Sequence, residues 1–343
     1  MKKYLCMCIS CAFVFFAKAQ EERLRDYVNP FVGTDGYGNI YPGSQIPFGG
    51  IQISPDTDNH FYDAASGYKY SHPTIMGFSL SHLSGTGIPD LGDFLFVPGT
   101  GEIKSIPGTH ENPDEGYRSR YSHEKEWASP GYYGVELIDY GVKAEMTSAC
   151  RSGIFRFTYP ASDKAFILVD LNHTLWQSCP WSNLRQLNDS TIVGYKLVKG
   201  WGPERHIYFA ATFSRKLEHF YILQDGKPVI YNTKRFRSHK EAWGEKLMAC
   251  FTFSTHTGEE VYVKTAISGV STEGALANIN ELDGLTFESV KSRAEELWEK
   301  ELGKYHVAGD LKTKRTFYTS AYHAALHPFV FQDADGRYRE LDK

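Results

Sequence analysis

From about Arg23 to Ser271 the chain alternates short apolar runs with polar or Gly/Pro breaks. "SGIFRFTYP", "KAFILVDLN", "STIVGYKLV" and "HIYFAATFS" are rich in β-branched and aromatic residues, and several alternate at period two. That period places successive side chains on opposite faces of a half-buried strand. "FYILQDGKPVIYN" predicts a hairpin, with Asp225-Gly226 supplying the positive-φ turn. "LMACFTFSTHTGEEVYVKTAISGV" predicts a second strand pair joined through Thr257-Gly258. Many short strands of this kind predict a mainly β protein, with a large two-sheet β-sandwich over 20–271.

After Ser271 the period changes to that of a helix. In "TFESVKSRAEELWEKELG" the residues Phe287, Val290, Ala294, Leu297, Trp298 and Leu302 fall on one face, with Gly303 as the stop. "DLKTKRTFYTSAYHAALHP" follows, with Asp310 as N-cap and Pro328 closing the segment. One or two helices cannot enclose a core by themselves. The expectation is therefore a helical linker over 272–310 and, over 311–343, the start of a helical domain that is cut short.

The first residues change the compartment. "MKKYLCMCISCAFVFFAKA" has a basic start, an apolar stretch too short for a confident membrane span, and a small-x-small ending. It predicts a signal peptide over 1–19, cut after Ala19, and a secreted or periplasmic protein with no membrane span after cleavage. Three cysteines then remain, Cys150, Cys179 and Cys250, with no CxxC pair, and buried free thiols are the expectation. A net charge of −4 gives no basic field for nucleic acid. Aromatic residues reach 15%. They serve either as sandwich filling or as platforms that stack on sugars, and composition does not separate the two.

Four segments carry candidate chemistry. Asn29–Thr57, "NPFVGTDGYGNIYPGSQIPFGGIQISPDT", is dense in Gly and Pro but has no phosphate-loop spacing, so it reads as a long shaped segment across the sandwich. "GFSLSHLSGTGIPDLGD" lacks the GxSxG elbow of an acyl-transfer serine. It gathers His82, Ser84, Thr86 and Asp90 where Gly85 and Gly87 let backbone approach a ligand. The plain alternative is a turn whose polar groups satisfy its own backbone. His323 and His327 have a chelating spacing but no third ligand. The closing "DADGRYRELD" fails as a calcium loop, since Phe331 would stand at its first ligand position; it reads as a turn at Asp335-Gly336.

The stretches "YVNPFVGTDGYGNIYPGSQIPFGGIQISPDT", "IMGFSLSHLSGTGIPDLGDFLFVP", "EKEWASPGYYGVELIDYGVKAEMT", "KGWGPERHIYF" and "TFYTSAYHAALHPFVFQDADGRYRELD" resemble, in this order, glycoside hydrolase family 92. The resemblance implies a sandwich, a helical linker and the first helix of an (α/α)6 barrel. It also implies calcium-dependent, inverting exo-α-mannosidase activity on mannose-containing glycans, with the site between the two domains. Inversion requires an acid and a base separated enough to admit water. The family's acid, base and most calcium contacts fall beyond residue 343, so no catalytic residue is carried over and the chain alone is expected to be inactive. What carries over is substrate binding: His82, Ser84 and Gly85 in "HLSGTG", Asp342 for the terminal sugar, and Gly67 in the "SGY" turn as a weaker candidate. A carbohydrate-binding sandwich without catalysis is the alternative expectation, and a purely bracing role is a third.

Overall fold

The computed structural model describes residues 22–60, 62–230 and 240–340. The expected signal peptide and Asp342 lie outside these residues. Among the described residues two large antiparallel sheets face one another. The seven-stranded sheet runs, in spatial order, Ser54–Asp56, Gly77–Ser79, Leu95–Thr100, Ser162–Asp170, Leu247–Thr255, His219–Gln224, Lys227–Pro228. The nine-stranded sheet runs Glu241–Gly244, Ser178–Gln186, Thr191–Lys199, Arg205–Phe213, Glu259–Ser268, Ser152–Tyr159, Val142–Ser148, Tyr132–Leu137, Glu126–Ser129.

Alternation decides what each strand buries. In 259–268, Val261, Val263 and Thr265 point inward, while Tyr262 and Lys264 are half-buried on the other face. Phe78, Phe96, Phe155, Phe209 and Phe251 join the apolar layer between the sheets. The aromatic content thus fills the sandwich to a large degree, at roughly 1.5–3 kcal/mol per fully buried large side chain. The Asp225-Gly226 hairpin forms as expected, with both residues at positive φ. The second expected pair does not. Strand 247–255 belongs to the seven-stranded sheet and 259–268 to the nine-stranded one, so Thr257-Gly258 carries the chain from one sheet to the other.

Three helices follow. α1 (Thr272–Ile279) is capped by Ser271, whose Oγ accepts from the Gly274 amide at 3.0 Å. It lays Ala275 and Ile279 on Val193, Ala210 and Ala266, the outer face of the nine-stranded sheet. α2 (Phe287–Leu302) starts at a Thr286–Ser289 capping box and buries Phe287, Val290, Ala294, Trp298 and Leu302. Leu297 departs from the expected stripe and remains 42% exposed, because it lies on the stripe's solvent edge. α3 (Leu311–Ala324) is capped by Asp310, which accepts from the Thr313 amide at 2.8 Å. Tyr318 and Tyr322 pack with Trp298, Leu302 and Tyr41. The Trp298 indole donates to the Gln45 carbonyl at 2.7 Å. The helices therefore bury their apolar stripes largely on the sandwich and on the 24–48 segment. Cys150, Cys179 and Cys250 are free thiols; Cys150 is only half-buried.

Candidate functional site

Segment 29–57 lies across the sandwich and meets three other pieces of chain at one place. The Asn39 carbonyl accepts from the Gly85 amide at 2.7 Å and from the Ser66 hydroxyl. The Ser84 amide donates to Nε2 of His327 at 3.0 Å. Burial depresses the His327 pKa, which keeps that nitrogen an acceptor. Since α3 ends at Ala324, His323 and His327 do not share one helix face. Gly50 marks a tight crossing. Its amide donates to the Cys150 carbonyl at 2.6 Å, and a Cβ there would meet the Val330 carbonyl at 2.5 Å. Only glycine lets the sheet and the C-terminal segment approach this closely.

The Gly67 turn and His82 rest on one buried carboxylate. Asp56 is fully buried between two imidazoles: His82 Nε2 lies 2.8 Å from Oδ1, and His173 Nε2 lies 2.8 Å from Oδ2. Burial alone would raise this carboxyl, but the two histidines override it and hold it well below the usual carboxylate range. Gly67 has φ +85°, and a Cβ there would lie 2.0 Å from Asp56 Oδ1. The Gly67 carbonyl accepts from the Thr57 amide at 2.7 Å. His82 is fully buried, and its Nδ1 faces the Gln52 carbonyl at 2.9 Å. Both its nitrogens are occupied, so it supports the loop from behind and does not present its ring to a ligand.

A second buried carboxylate, Asp93, closes the other end of that loop. It accepts from Ser81 Oγ at 2.7 Å and from Arg205 Nη1 and Nη2 at 2.6 and 3.1 Å, and it pairs with Lys196 Nζ at 3.0 Å. Burial opposes its charge, while Arg205 and Lys196 hold the carboxyl well below its ordinary value. Lys196 Nζ also donates to the His173 carbonyl at 2.5 Å. A continuous polar spine thus runs Asp56–His173–Lys196–Asp93–Arg205 beneath residues 82–93. Above it, Ser84 is half-buried and Gly85 exposed; Gly85 has φ +72° with nothing within 4 Å of its would-be Cβ.

Beside this loop, Gln52, Ser81, Asp93 and Arg205 border a cavity of about 70 Å³ closed by Phe329–Asp333. Arg205 and His206 continue into an open cleft of about 1040 Å³, whose far wall is Tyr338, Arg339 and Glu340. Trp201, on the turn before Arg205, is 73% exposed. Asp333 secures the closing segment, accepting from Ser268 Oγ at 2.6 Å and Asn278 Nδ2 at 3.0 Å. Asp335-Gly336 forms the expected turn.

Gly67, His82, Ser84 and Gly85 are therefore brought together. Sequence reasoning did not single out Asp56, His173, Lys196, Arg205 or His327. Lys196 carried a legible signal: it occupies an inward position of an alternating strand, between Ile192 and Val198. The site does not fit calcium as it stands. Asp56 and Asp93 are engaged by buried basic side chains, and Asp90 caps the Leu91 amide at 2.7 Å. Calcium takes six to eight oxygens, which this set does not offer.

Comparison with known proteins agrees with this geometry. The family model for the glycosyl hydrolase family 92 N-terminal domain matches residues 27–268, and that for the family's catalytic domain matches 274–343. The chain is 76% identical to the GH92 α-mannosidase BT3965 of Bacteroides thetaiotaomicron, with a TM-score of 0.92, over 94% of this chain and 44% of that one. BT3965 has also been solved in complex with mannoimidazole. The GH92 glycosyl hydrolase ccman5 is 26% identical, with a TM-score of 0.80, over 93% and 43% of the two chains. An uncharacterized secreted glycosidase of Arthroderma benhamiae is 25% identical over 327 residues, 88% of this chain and 41% of that protein. The chain spans less than half the length of each of these relatives. A sandwich matched over 27–268, followed directly by helices matched to the catalytic domain, leaves one conclusion: the chain belongs to glycoside hydrolase family 92.

Proposed function

We propose that this chain supplies the sandwich-side wall of the sugar site in a secreted or periplasmic, inverting exo-α-mannosidase that removes terminal α-mannosides from glycans. The observation that carries this reading is the exposed Gly85 backbone beside half-buried Ser84, held between Asn39 and His327 and braced by the buried spine. Backbone with no side chain in the way, fixed at the seam of sandwich and helices, lets a sugar ring approach closely. Ser84, Gly85 and the Gly67 turn are the wall, His82 positions it, and Asp342 accepts from hydroxyls of the terminal sugar. The acid, the base and the calcium ligands are assigned to parts of the enzyme other than the described residues, because the buried carboxylates here are already neutralised. The relative solved with mannoimidazole supports mannose as the ring recognised.

The test is calorimetric titration of the chain with mannose and mannoimidazole, alongside NMR detection of mannose released from α-linked mannobiosides. Binding without turnover is expected. Hydrolysis by the 343-residue chain would overturn the assignment of acid and base elsewhere. Absence of binding at millimolar ligand would overturn the half-site.

A further inference from the structure

Away from the polar spine, three loops bring a different set of ligands together: 57–63, 69–72 and 108–112. Among the described residues, one ring nitrogen each of His72 and His110 and a carboxylate oxygen of Asp58 all lie within 4.8 Å of one another. The rings of His72 and His110 are 4.3 Å apart, centroid to centroid. Nε2 of His110 is buried without a hydrogen-bond partner and lies 3.7 Å from Asp58 Oδ2. Its Nδ1 lies 2.8 Å from Thr74 Oγ1. Arg118 Nη1 lies 3.0 Å from both that nitrogen and Thr74 Oγ1. When Arg118 donates to Nδ1, Nε2–H points toward Asp58; when Arg118 donates to Thr74 and Nδ1–H does the same, Nε2 offers its lone pair, and that second arrangement is the one a metal ion would select.

His72 is oriented in a comparable way. Its Nε2 lies 2.9 Å from Asp63 Oδ2, so Nε2–H donates to a carboxylate and the lone pair falls on Nδ1. The Thr57 hydroxyl lies 3.0 Å from that Nδ1 and would have to turn to the Gly67 carbonyl, 3.3 Å off, to release it to a metal. A carboxylate behind a ligating imidazole fixes its tautomer and raises its basicity. His60 stands next to the cluster, with Nδ1 2.5 Å from Asp58 Oδ1, and is largely exposed.

We propose that Asp58, His72 and His110 bind one Zn²⁺, with His60 or water in the fourth position. Two imidazoles and one carboxylate suit zinc, whereas calcium and magnesium select oxygen sets. Zinc–nitrogen bonds of about 2.0–2.1 Å require the loops to draw in by about an ångström. Arg118 Nη1, 3.0 Å from His110 Nδ1, opposes a dication, and the carboxylates of Asp58 and Asp63 offset it. The ion would clamp the three loops. Because the Thr57 and Asp58 amides both donate to the Gly67 carbonyl, it would also stiffen the Gly67 turn.

The experiment is titration of the chelator-treated chain with ZnCl2, followed by X-ray absorption at the zinc edge. One equivalent is expected, with a first shell of two imidazoles plus oxygen. His72→Gln and His110→Gln should each weaken binding at least tenfold, and Asp63→Asn should weaken it less. A shell containing sulfur, or none of imidazole, would overturn the site whether or not a variant folds. So would undiminished binding in both histidine variants, or no binding at micromolar zinc.

Discussion

Replacing Asp93 by Asn tests whether the buried spine supports the loop above it. The substitution keeps volume and shape, so no cavity contributes; what it removes is the charge. Asp93 and Lys196 are fully buried, and Arg205 is 23% exposed. Removing one partner of a buried pair costs about 3–5 kcal/mol, because the other charge is left uncompensated. Lys196 retains the His173 carbonyl and Arg205 retains some solvent, so the lower end, about 3 kcal/mol, is expected. Lys196→Met alone leaves Asp93 with Arg205 and Ser81. Adding it to Asp93→Asn removes the stranded cation, and the double variant should recover about 1–2 kcal/mol relative to additivity. Urea denaturation followed by tryptophan fluorescence reads this directly. At about 1–3 kcal/mol per molar urea, the single variant's midpoint falls by roughly 1 M or more. A shift below about 0.5 kcal/mol, or a double variant no better than the sum of the singles, would refute the reasoning.

Gly67→Ala places a Cβ 2.0 Å from Asp56 Oδ1 at φ +85°; a loss of about 2–4 kcal/mol is expected, read as a lower melting temperature in calorimetry. In Gly85→Val the added Cβ meets nothing within 4 Å, so the expected cost is the positive-φ strain of about 1–2 kcal/mol, yet mannoimidazole binding should fall at least tenfold in titration calorimetry. Stability of the chelator-treated chain should also depend on pH. Burial, with Arg118 next for His110, pushes His110 and His323 down to about 4. The unfolded chain then binds the protons first, and stability complete above about 6.5 declines as pH falls toward 4. Asp56 and Asp93, depressed in the fold, add a further loss below about 4. His323→Phe should flatten the first window in pH-dependent urea midpoints.

Much of the architecture was legible because alternation and caps are local. The inward Val261 and Val263, the Asp225-Gly226 turn and the Asp310 cap need only their immediate neighbours. Strand pairing is not local. Alternation fixes which face of 247–255 is buried but not which sheet it joins, and the expected partner 259–268 lies opposite it. His82 shows the same limit at the site. Its setting among glycines and hydroxyls reads as ligand-facing, but its partner Asp56 lies 26 residues upstream, and that carboxylate's other partner, His173, lies 117 residues downstream of Asp56. Only the three-dimensional arrangement shows that the ring faces inward. Gly85 is exposed at positive φ, as a glycine within a polar turn reads locally, whereas Ser84 is half-buried.

The opening described segment is stapled to α2. The Leu24 and Arg25 amides both donate to the Glu299 carboxylate, at 2.7 and 3.2 Å, and Arg25 also pairs with Glu295 at 2.5 Å. The first and second partners are separated by 275 residues in sequence. At roughly 5–20 residues per second of synthesis, the opening segment waits on the order of tens of seconds for its acceptor to exist. During that interval Tyr27, Tyr41 and Phe48 have none of their helical cover. The nascent molecule therefore has a built-in delay in which a chaperone gains a binding window, and α2 is the latch that begins to close it.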